Sequence, residues 1–128
     1  MTMKAVKVTA QGAIFTVELD GSLPLYKALQ KEVGGYIETV RPRNLARPYL
    51  MMVDEEGLLK GLPPNRAASW LCGMQRHGQP IVGDALIMKE TETADGDADA
   101  GGLTDEECNS ITAWIALNEI IIGKGTKG

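Results

Sequence analysis

Three arginines, Arg41, Arg43 and Arg47, fall within seven residues of one stretch that also holds Pro42 and Pro48. A guanidinium recognises phosphates and carboxylates through paired N–H donors. The chain has 13 Lys and Arg against 17 Asp and Glu, a net charge of −4, so three arginines this close make a local positive site in an acidic protein. The competing reading is a solvated loop whose arginines pair with Glu55, Glu56 or the acidic stretch near residue 95, as surface charges commonly do. A fourth arginine, Arg66, follows Asn65 in Pro63-Pro64-Asn65-Arg66. That order places an N-cap and a cation at a helix start, where unpaired N–H groups favour anions. The plainer alternative is that Asn65 caps its helix and Arg66 faces solvent. Tyr36, Tyr49 and Trp70 lie near these arginines in the sequence and supply rings on which a planar ligand could stack.

Other patterns carry less. Asp95, Asp97, Asp99 and Glu106 match positions 1, 3, 5 and 12 of a calcium loop. Position 6 is Ala100, where the sharp turn needs Gly, and no helix precedes the stretch, so a solvated acidic linker is expected. Cys72 and Cys108 have no metal spacing and one histidine, His77, to help them. Both read as buried free thiols, and zinc lacks ligands. Gly123-Lys124-Gly125-Thr126 has the composition of a phosphate loop but follows a helix with none after it. Neither catalytic nor metal residues are expected, and no cofactor.

A chain of 128 residues with 44% hydrophobic residues suits one domain with its own core. The negative balance argues against broad nucleic-acid binding, which needs many phosphates neutralised. No apolar run approaches the roughly 20 residues of a membrane helix, and the first residues lack a signal-peptide core, so the expected location is cytoplasmic.

Residues 4–8 and 13–19 read as a hairpin turning at Gln11-Gly12. Ser22 reads as the N-cap of a helix carrying Leu25, Leu29 and Val33 on one face and closing at Gly34-Gly35. Residues 36–40 read as a strand. Residues 49–53 read as a strand buried on both faces. Asn65 starts a short helix over 66–72, and residues 81–82 and 85–88 form the last strand segments. The expected organisation is a core over 1–90, a flexible acidic linker over 91–102, an amphipathic helix over 103–122 and a frayed tail over 123–128. The capping box Thr104-x-x-Glu107 begins that helix, with Cys108, Ile111, Ile115 and Ile122 on its apolar face. The fold class is α+β: a single small domain, with a mixed or antiparallel sheet and two or three helices. Ile120, Ile121 and Ile122 spread apolar surface around the last helix, which favours a homodimer or higher homo-oligomer.

The segments Val33-Gly34-Gly35-Tyr36-Ile37-Glu38, Val53-Asp54-Glu55-Glu56-Gly57, Gly61-Leu62-Pro63-Pro64-Asn65-Arg66-Ala67-Ala68 and Ile81-Val82-Gly83-Asp84-Ala85 resemble, in this order, domain-of-unknown-function family 3846. These are uncharacterised small proteins of phages, plasmids and bacteria. The resemblance covers about residues 3–90. It implies a mobile-element setting and no particular chemistry, and small proteins of that setting often act by binding. The expected function is therefore a non-enzymatic binding protein that sequesters a small anionic ligand, a cyclic nucleotide or ADP-ribose derivative signalling host defence, in a pocket shared between protomers. Arg41, Arg43, Arg47 and Arg66 would meet phosphates, Asn65 a base or ribose, and Tyr36, Tyr49 or Trp70 a ring. The alternative is an acidic inhibitor or accessory factor that binds a host nucleic-acid or defence protein. A nucleotide hydrolase is a third class, and it would need clustered carboxylates and a metal.

Overall fold

A computed structural model describes residues 3–45, 48–73, 80–92 and 98–118, with backbone alone at 92, 98 and 99. Among these residues the elements run β1 (Lys4–Val8), β2 (Ile14–Glu18), α1 (Leu25–Val33), β3 (Ile37–Val40), β4 (Tyr49–Asp54), α2 (Arg66–Cys72), β5 (Ala85–Glu92), β6 (Ala98–Gly101) and α3 (Asp105–Leu117). All strand pairs are antiparallel, in the order β2-β1-β5-β4-β3. The fold is α+β, one small domain with, among the described residues, a six-stranded sheet and three helices.

The two apolar runs take the interior positions. Met51 and Val53 of β4 and Ile87 of β5 face one core, with α2 and α3. Leu50 and Met52 of β4, with Leu86 and Met88 of β5, face the other, with α1. A strand between two layers has no polar side, which is why these segments read as continuous hydrophobic sequence. Helix α1 contributes Ala28, Leu29 and Val33, and Gly34 closes it in the left-handed conformation at φ 93°.

Ser22 does not cap α1. The residue before the helix is Pro24, with no side-chain cap. Asp20 holds the turn instead, accepting from the Ser22 N–H at 3.0 Å and from Lys31 at 3.2 Å.

The stretch expected to be a linker is partly strand. β5 continues to Glu92, and Ala98–Gly101 pair with it, Lys89 opposite Gly101 and Glu90 opposite Ala100. Small residues that suggest flexibility are here what pairing requires, since a Cβ on Gly101 would lie 2.5 Å from Thr91 Cγ2. Residues 93–97, which include Asp95 and Asp97, lie outside the described residues.

Helix α3 starts with the expected capping box: Thr104 Oγ1 accepts from the Glu107 N–H at 3.1 Å, and Glu107 Oε1 accepts from the Thr104 N–H at 3.0 Å. Cys108, Ile111 and Ile115 are buried against this chain's own sheet, so α3 completes one of the two cores. The three isoleucines 120–122 and the tail lie outside the described residues.

A groove between helix α1 and the sheet as the candidate functional site

Helix α1 covers part of its sheet face. Beyond it, towards β6, a groove of about 600 Å3 stays open. Leu29, Ile37, Leu50 and Met52 supply its apolar surface, Tyr26 comes from α1, and Ala100 of β6 lines it as well. Arg41 and Glu90 are its charged residues. The volume falls in the ~300–1,000 Å3 range of small-molecule sites, and apolar walls with a few convergent polar groups are their usual composition.

Strand geometry sets the charged end. Residues on one face of a strand recur every second position, so Ile37, Thr39 and Arg41 all reach the groove. Leu50 pairs with Met88, and Glu90 follows Met88 on the same face. The Arg41 guanidinium therefore meets Glu90 in a two-pronged ion pair, Nη1 to Oε2 at 2.9 Å and Nη2 to Oε1 at 2.6 Å. These hydrogen bonds and the facing charge raise the Arg41 pKa further above its ordinary value. The Arg41 side chain is still 51% exposed. A guanidinium carries five N–H donors, and Glu90 takes two.

The other expected site residues do not gather here. Asn65 is fully buried. Its Nδ2 donates to the carbonyls of Val8 (2.8 Å) and Gly83 (2.9 Å), and its Oδ1 accepts from the Ala68 N–H at 3.1 Å. Both amide hydrogens are spent on backbone, so Asn65 caps α2 and presents nothing to a base or ribose. Arg66 is exposed beside the β1–β2 turn, where Thr9, Gln11 and Gly12 share a separate cleft with it. Arg43 lies at the other end of α2, near Gly73. Seven helical residues at ~1.5 Å each separate these two by roughly 10 Å along the axis.

Trp70 packs on Trp114 of α3, ring centroids 5.4 Å apart. Tyr49 donates its hydroxyl to Glu107 at 3.3 Å, also on the α2–α3 side. Burial and the neighbouring Glu107 carboxylate push the Tyr49 pKa up. Tyr36 is exposed just before β3. Glu55 and Glu56 are exposed in the turn after β4. Arg47, His77, Asp95 and Asp97 lie outside the described residues, as does Gly123-Lys124-Gly125-Thr126.

Sequence reading missed Tyr26 and Glu90. Tyr26 follows Leu25 at the margin of the α1 apolar stripe, a flanking position the pattern does show. Glu90 sits 49 positions from Arg41, and only the strand order brings them together.

Cys72 and Cys108 are free and buried. Burial pushes the Cys72 thiol up to about 12, which leaves it protonated and inert as a nucleophile. Among the described residues no group of three His, Cys, Asp or Glu could hold a metal. No helix among them is long and apolar enough to cross a membrane.

The fold is similar to part of a small RNA methyltransferase, HEN1, seen in a crystal structure: TM-score 0.55 and 16% identity over 87% of this chain. The chain spans 16% of the length of that protein, and the likeness is one of fold alone. Comparison with curated proteins finds no match. The sequence profile of one family runs from residue 3 to residue 116, past the expected limit at residue 90 and through β6 into α3. The chain thus belongs to the family described as Domain of unknown function (DUF3846).

Proposed function

We propose that this protein is a non-enzymatic binding protein that holds a small ligand in the groove between α1 and the sheet. The observation that carries this reading is the pairing of an apolar, ligand-sized groove with one half-exposed arginine. The class proposed is a nucleotide-derived signal, bound so as to sequester it. Its base would lie on Ile37, Leu50 and Met52 against Tyr26, and its phosphate would meet Arg41 N–H groups that Glu90 does not use. Arg66 and Arg43 have no part in it, and neither has Asn65. The described lining of the groove comes from one chain.

The test is calorimetric titration with cyclic dinucleotides and ADP-ribose derivatives, followed by heat denaturation and chromatography of the released ligand. The expected outcome is binding of one compound, recovered unchanged. Folded protein giving no heat across the panel, or a ligand recovered altered, contradicts the reading.

A further inference from the structure

We propose that the open edge of β3 docks an extended protein segment whose side chains alternate between basic and apolar. Among the described residues, β3 pairs with β4 on one side and ends the sheet on the other. An edge strand offers a row of backbone N–H and C=O groups to a further strand, and proteins use this to capture extended peptides, with alternate side chains read by pockets.

β3 has such a pocket. On the face opposite the groove, Glu38 and Val40 border a cleft with Val53, Leu58 and Ile81. Its volume is about 160 Å3, below the ~300 Å3 where small-molecule sites begin. That suits one side chain of a bound segment. Leu58, which lines the cleft, is 58% exposed, and Leu59, next in the chain, is 87% exposed; Tyr36, two residues before Glu38, is 64% exposed. The Glu55 N–H donates to the Tyr36 carbonyl at 2.8 Å, so the Tyr36 backbone and the turn carrying Leu58 are neighbours. Clustered exposed apolar residues with a polar rim mark interaction surfaces.

Charge selects the occupant. Glu38 and Glu55 line the cleft, and among the described residues the cation of the following turn, Lys60, is engaged by Asp54 at 2.7 Å. Two copies joined through this edge would set the same glutamates against each other, which is unfavourable across paired strands. A basic segment removes that repulsion and gains attraction. This surface faces away from the groove and does not depend on it.

The test titrates the wild-type protein with three nine-residue peptides: lysine alternating with valine, glutamate alternating with valine, and the lysine peptide with proline at its centre. The lysine peptide should bind and shift the amide resonances of residues 37–40. The other two should bind at least about tenfold more weakly, a difference of about 1.4 kcal/mol. The double substitution E38K/E55K, at two exposed positions, should reverse the preference between the lysine and glutamate peptides, with far-UV circular dichroism unchanged. Equal binding of the lysine and glutamate peptides overturns the proposal. So do amide shifts that leave residues 37–40 untouched.

Discussion

Asn65 and Gly83 are joined by a hydrogen bond from the Asn65 side-chain amide to the Gly83 carbonyl, 2.9 Å long and fully buried. The same amide reaches the end of β1 at Val8. One side chain therefore ties the start of α2 to the end of β1 and to the bend before β5. Gly83 must be glycine for this: its φ is +75°, and a Cβ there would lie 2.8 Å from Leu62 Cδ1.

Replacing Asn65 by Ala should lose the helix cap, ~1 kcal/mol. It should also leave two buried carbonyls short of a donor, adding ~1–3 kcal/mol. Urea denaturation should show a loss of about 2–4 kcal/mol, with ligand binding by the remaining folded protein unchanged. A loss below about 1 kcal/mol would mean that water replaces the amide at no cost.

Gly35 sits against the Asp54–Lys60 ion pair. An added Cβ would fall 2.5 Å from Lys60 Nζ and 2.8 Å from Asp54 Oδ2. Lysine can move, but Asp54 is buried and also accepts from the Glu56 N–H at 2.8 Å. Gly35→Ala should therefore cost about 1–3 kcal/mol, the usual range for overpacking. Thermal melts of G35A, K60M and G35A/K60M would show whether displacement of Lys60 accounts for the loss, since the glycine change should then cost less in the K60M background; equal melting of G35A and wild type contradicts the close fit.

Glu107 gives a pH signature. The Thr104 N–H, Lys89 and the Thr104 hydroxyl hold its carboxyl below the ordinary 4.5, against a smaller opposing effect of burial. A depressed folded-state pKa contributes stability above the unfolded value, and that stability is lost as pH falls through the folded value. Glu107→Gln can still form the capping box but cannot titrate. The gap in Tm between wild type and E107Q should be widest above pH 4.5 and narrow as pH drops below it. A gap independent of pH between 7 and 3 contradicts this assignment.

Removing residues 103–128 should leave insoluble or unfolded protein, because Cys108, Ile111 and Ile115 fill one core. Light scattering of a soluble, folded truncation would contradict that role. The expected homo-oligomer is a separate matter, since residues 120–122 lie beyond the described helix.

The elements were legible where a side-chain pattern alone decides them. The hairpin, the double-faced β4, the Asn65 cap and the Thr104–Glu107 box all follow from local sequence. β6 was not, because Ala98, Ala100 and Gly101 read as loop, and only the backbone of β5 makes them a strand. The site was less legible still. Arginine spacing put Arg41 and Arg43 together, but β3 alternation and the end of α2 draw them to different faces. Glu90 had no local signal, because its meeting with Arg41 depends on β4 lying between β3 and β5. The motifs behind the family resemblance are legible as architecture: Gly35, Asp54, Asn65 and Gly83 each secure a contact between distant segments.

The most direct test of the binding groove is an amide-resonance titration of the wild-type protein and of R41A with the compound that calorimetry selects. The account predicts shifts concentrated at Leu25, Tyr26, Ile37, Thr39, Leu50 and Ala100, and affinity at least about tenfold weaker for R41A. Shifts centred on Arg66, Gln11 and Gly12, with R41A binding as tightly as wild type, would contradict it.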